Sequence, residues 1–275
     1  GSARGPAHKA ATSFHRNDLV PRRPKCVRAE PKDTNMTTTN TSMRAIDTLR
    51  EEIDTLDEEL LALIERRLDL AAAIAQAKGE DTADTDSEEL LLRPAREASV
   101  IARLGSLTRR IPKDSITAIW RELMAINLQA QRPIEIALHA SRHPERMHLM
   151  ARARFGTILP VRASASPQAA LDKARAGRAI ALIEIGEGDW WTRLGDDPDL
   201  NIIDGLLGEG GRGSALAVGR LSPDRLGEDR SFAVLEQAEL ANRLGRGEAV
   251  LPIAVSGNLN LCVIERVTPL SRAAA

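Results

Sequence analysis

Between Arg44 and Lys78 the apolar residues fall three and four apart: Ile46, Leu49, Ile53, Leu56, Leu60, Leu63, Leu70, Ile74 and Ala77. No Gly or Pro interrupts them. The spacing predicts one long helix with an a/d seam of about five heptads. The seam has one fault, because Arg67 takes a core position between Leu63 and Leu70. Lys78 follows Arg67 by eleven residues, and that many steps of about 100° return it to within roughly 20° of the same azimuth. A face expected to be buried therefore carries two cations. An unpaired buried charge is costly, so the pair calls for an anion from the protein or from a ligand.

The next segments repeat the anomaly. Gly79 suits the end of the first helix, and the acidic GEDTADTDSEE that follows reads as a solvated loop. Pro94 opens a second helix, RPAREASVIARL, with a stripe of Val100, Ile101, Leu104 and Leu107. Glu97 heads that stripe and is expected to face inward, with Arg93 a turn before it and Arg96 immediately before it. A third helix is expected from Pro112 to about Gln131, its stripe being Ile116, Ile119, Trp120, Leu123 and Met124. At helical spacing this stripe runs into Asn127 and Gln131, two amides that extend an apolar face.

After Pro133 short β-rich runs alternate with turns. Strands are expected at Ile134–His139, Ile158–Ala163, Ala179–Ile185, Leu200–Asp204, Ala215–Gly219, Phe232–Glu236 and Leu261–Val267. A helix is expected from Ser166 to Gly177, with Ser166 as N-cap and Pro167 at its first position. The expected organisation is a disordered leader over residues 1–42, an all-α three-helix domain over 43–132 and an α/β domain over 133–275. The leader is basic and proline-containing, then low in complexity through TNMTTTNTS.

Composition narrows the partners. A formal net charge of -1 gives no field for nucleic acid. No apolar run is long enough for a membrane span. Cys26 and Cys262 share no metal-type spacing, and a reducing cytoplasm is the compartment that fits. His139, His143 and His148 have no acidic partners evident in the sequence, so no metal is expected on them. Gly210, Gly211 and Gly213 lack a following Lys-Ser/Thr and read as a loop.

Arg67, Lys78, Glu97, Asn127 and Gln131 break apolar faces on three helices, and Arg50 and Arg96 lie on the rims of the same helices. Such a pocket suits a small polyanion and acts by positioning and electrostatics. Arg50 and Arg67 are 17 residues apart, about 25 Å along a helix, too far for one small molecule. They can meet at one ligand if two copies of the helix lie antiparallel, which makes a homodimer with two equivalent sites.

The run LREEIDTLDEELLALIERRLDLAAAIAQAK, with RPAREASVIARL and WRELMAINLQAQ, resembles the all-helical chorismate mutases of bacteria over Arg44 to Arg132. The resemblance implies a cofactor-free homodimer of three-helix chains that converts chorismate to prephenate by an intramolecular Claisen rearrangement. By that resemblance Arg67 and the partner's Arg50 clamp the two carboxylates of the substrate. Lys78 and Gln131 donate to the ether oxygen. Glu97 accepts from the ring hydroxyl, and Arg96 and Asn127 support the hydroxyl and carboxylate ends. Two positions depart from the family: Arg93 stands where known members have an Asp, and Asn127 where they have a Ser. Isochorismate pyruvate lyase shares most of this pocket and is the nearest enzymatic alternative. A helical dimerisation module without catalysis is the alternative of a different class.

In the second half, SPQAALDKARAGRAIALIEIGEGDWW and GEDRSFAVLE look like a worn prephenate dehydratase domain, which is often fused to such mutases. The Thr-Arg-Phe motif of that family is absent, the chain reading Asp229, Arg230, Ser231 and Phe232 there. The expected role is structural or ligand-sensing, with a bifunctional mutase and dehydratase as the alternative.

Overall fold

The computed structural model describes residues 35–77, 89–186, 188–208, 214–226 and 230–265. Lys78, Gly79, most of the acidic loop, Cys26 and the three loop glycines lie outside the described residues. Two compact units are present, residues 1–58 and 59–275. The described part of the first is the N-terminal portion of helix α1 (Asn35–Ala77). That helix begins at Asn35, upstream of the expected start at Arg44. Once a strong helix is nucleated, extending it costs little even through Thr and Asn.

The a/d seam was expected to be the buried face of α1, but in the folded chain it is open. Leu56, Leu60, Leu63 and Leu70 are 56%, 56%, 61% and 58% exposed. Within residues 59–77 the less exposed face of α1 is a neighbouring stripe instead. Ile64, Leu68, Ala71 and Ala72 are half-buried, and Ala75 is buried. Arg67 sits at the edge between stripe and seam and is half-buried.

Helices α2 (Pro94–Leu107) and α3 (Lys113–Gln131) pack on each other. Strand β1 (Glu135–His139), helix α4 (Pro144–Phe155), β2 (Val161–Ala163), α5 (Pro167–Arg175) and β3 (Ala179–Glu184) then form two consecutive parallel crossovers. The Ser166 side chain caps α5 as expected, accepting from the Ala169 amide at 3.1 Å. A 3-10 turn over Trp190–Asp196 leads to β4 (Asn201–Leu206) and β5 (Ala215–Gly219). The first sheet has the order β2-β1-β3-β5-β4, with β5 antiparallel to both neighbours. Strand β6 (Arg230–Glu236), helix α6 (Gln237–Gly245), β7 (Val250–Ser256) and β8 (Leu259–Glu265) complete the described chain. The second sheet is antiparallel, in the order β6-β8-β7. An all-α N-terminal region followed by an α/β region is thus the observed fold class.

One core runs across the expected boundary at residue 132. Ala125 and Leu128 of α3 share it with Met147, Ala151 and Phe155 of α4 and with Ile136 and Leu138 of β1. The opposite face of the first sheet packs on α5, Trp191 and Leu261. His143 does have an acidic partner, contrary to the sequence reading. Glu184, 1% exposed, accepts from its ring at 2.5 Å and from the amides of Arg142 and His143 at 3.1 and 3.2 Å. The carboxylate caps the N-terminus of α4, a contact between strand ends that local pattern does not reveal.

The junction of α3 with α4 depends on Gly156. Its φ is +83°, and a Cβ there would lie 2.5 Å from the Ala125 Cβ. Just beyond it, Glu122 accepts from the amide and hydroxyl of Thr157 at 2.7 and 2.8 Å. Gly156→Ala is expected to destabilise the chain by about 2 kcal/mol or more, through overpacking and a strained backbone. Urea denaturation measures it. An unchanged midpoint would show that the two helices can separate freely.

Candidate active site

Pro94 fixes the first turn of α2, and Glu97 lies in that turn, where the helix dipole favours a carboxylate. Its Oε2 accepts from Arg154 Nη1 at 3.2 Å, the two side chains being 17% and 12% exposed. Arg154 belongs to the last turn of α4. Its Nε donates to Asp204 Oδ2 of β4 at 2.5 Å. Burial works against the Arg154 charge, but Glu97 and Asp204 outweigh it and hold the guanidinium above its ordinary pKa. Arg121 of α3 completes the group and donates to the Ala153 carbonyl at 3.1 Å. Its pKa is lowered, first by burial and then by the charge of Arg154. Two cations and two carboxylates therefore balance at the point where α2, α3, α4 and β4 converge. Met124, Leu128 and Phe155 wall one side of the cluster. The other side opens on a groove of about 940 Å³ between α2 and the strands β4 and β6.

The expected pocket residues are distributed as follows. Arg67 has its Nη1 buried with no hydrogen-bond partner among the described residues. Asn127 and Gln131 are half-buried, one turn apart on α3. Met124, beside Glu97, and Gln131 share an azimuth on α3, about 10 Å apart along its axis. Arg96 is exposed. Arg50 is exposed and pairs with Asp47 at 3.1 Å. Lys78 lies outside the described residues. The structure brings Glu97 to Arg154, Arg121 and Asp204, none of which the sequence reading singled out. A signal existed for Arg154. Met147, Ala151 and Phe155 form a helical stripe after Pro144, and Arg154 interrupts that stripe as Arg67 interrupts the first one.

Residues 49–132 match the family model for chorismate mutase type II. The matched stretch holds Arg50, Arg67, Lys78, Arg96, Glu97, Asn127 and Gln131 and stops before β1. No curated protein and no solved structure matches the chain. No helix among the described residues is long and apolar enough to cross a membrane. The chain carries a chorismate mutase type II domain, and the enzymatic class of that domain is isomerase.

Proposed function

We propose that this chorismate mutase acts as an antiparallel homodimer in the cytoplasm, each of its two sites built from both copies. The reaction converts chorismate to prephenate within one molecule, so catalysis consists of orienting a dianion and stabilising charge at the breaking C–O bond. Arg67 and the partner subunit's Arg50 hold the carboxylates, for which the planar guanidinium fork is suited. Lys78 and Gln131 donate to the ether oxygen as negative charge grows there. Glu97 accepts from the ring hydroxyl, with Arg96 and Asn127 supporting the two ends.

The observation that carries this reading is the Arg67 guanidinium, whose buried Nη1 lacks a partner among the described residues. A buried donor left unsatisfied by the protein is costly and points to an anion that arrives from outside. The exposed seam of α1 supports the second copy. The test offers the full chain chorismate and isochorismate side by side and follows prephenate, pyruvate and phenylpyruvate. Prephenate from chorismate is the expected product. Pyruvate from isochorismate with no prephenate would sink the assignment in favour of a lyase. Phenylpyruvate would show that the second half retains dehydratase chemistry.

A further inference from the structure

We infer that Arg154, which lies outside the matched stretch, is a positioning residue for Glu97 and couples the α/β region to mutase activity. The inference rests on the reading above that Glu97 contacts the substrate hydroxyl. Glu97 projects from a helix surface on a side chain with several rotatable bonds. Left alone, it would have to be frozen at each turnover. Arg154 holds it by Nη1 at 3.2 Å, and Arg154 is itself held by Asp204 on its Nε at 2.5 Å. The guanidinium is planar, so anchoring one edge on β4 aims the other at α2. Both partners of the Glu97 bond are largely buried, which strengthens it beyond a surface ion pair.

Glu97 is not used up by this contact. A carboxylate offers about four lone-pair sites, so it can hold Arg154 and accept from a substrate hydroxyl together. The remaining cation, Arg121, is tied to the Ala153 carbonyl and interacts electrostatically with both Glu97 and Arg154. The α3–α4 junction at Gly156 fixes the helix end that carries Arg154. Glu97 is thereby set by a chain of contacts running from β4 through α4 to α2.

The test is a double-mutant cycle in the full chain with chorismate as substrate. Glu97→Gln is expected to lower kcat/KM by about 10²-fold or more. Arg154→Gln is expected to lower it at least about tenfold, with most of the change in kcat. The double variant should fall within about threefold of Glu97→Gln alone, because Arg154 acts through Glu97. Arg154→Lys, which keeps the cation, should recover much of the loss. A fold defect would instead reduce the active fraction and multiply with the Glu97 loss. Unchanged or raised activity in Arg154→Gln, or multiplied losses, would overturn the inference. If Arg154→Gln does not melt cooperatively, Arg154→Lys takes its place in the cycle, where a loss of about threefold that vanishes in the Glu97→Gln background is expected. A multiplied loss there, or none in either background, counts against the inference. Full activity in Glu97→Gln would instead refute the placement of Glu97 at the substrate.

Discussion

Arg67→Leu is expected to lower kcat/KM for chorismate by at least about 10²-fold, close to 2.7 kcal/mol in the transition state. The same change should leave the proposed dimer intact or tighter. Leucine at this position restores the a/d pattern of α1, in which Arg67 is the single polar interruption between Leu63 and Leu70. Removing the cation also removes a buried Nη1 that has no partner among the described residues. Stability and activity should therefore move in opposite directions. A residue kept for packing or pairing would not behave so, since breaking a buried pair destabilises. Steady-state kinetics and sedimentation on one preparation measure both effects. Undiminished turnover with a tighter dimer would mean that α1 is a dimerisation device and nothing more.

What the sequence disclosed follows the range of its interactions. The helices α2, α3 and α5 and the strands β1, β3 and β5 come close to their expected limits, because each is set by its own periodicity and by Pro94, Pro112 and Ser166. Strand β7 was missed because Pro252 stands inside it. It is an edge strand, where a missing amide is tolerated. Strand β2 is shorter than expected because Pro160 ends the turn before it. The seam of α1 was legible, but its burial was not. A pattern states that a face needs covering and does not say by what. The charged neighbours of Glu97 were hidden for a related reason. Arg154 is 57 residues away and Asp204 is 50 beyond that, and only the stacking of α4 and β4 against α2 brings them together.

If the proposed dimer forms, replacing Leu56 and Leu63 with Glu is expected to turn it into monomers and to abolish mutase activity with it. Both leucines are more than half exposed in the single chain. In a two-fold interface each substitution acts twice, so four apolar contacts are lost. At about 1.5–3 kcal/mol for a buried leucine, even partial burial gives at least about 4 kcal/mol, or about 10³-fold in Kd. Dissociation alone does not show that each site draws on two chains. Arg50→Ala and Arg67→Leu chains, each inactive by itself, supply that test when mixed and allowed to exchange. In a mixed dimer one site receives both defects and the other receives Arg67 from the first chain and Arg50 from the second. Random exchange makes half of the dimers mixed, so activity should return to about a quarter of the wild-type value. If the mixture stays inactive while sedimentation shows that exchange has occurred, Arg50 does not act across the interface. The antiparallel arrangement of α1 would then have to be abandoned.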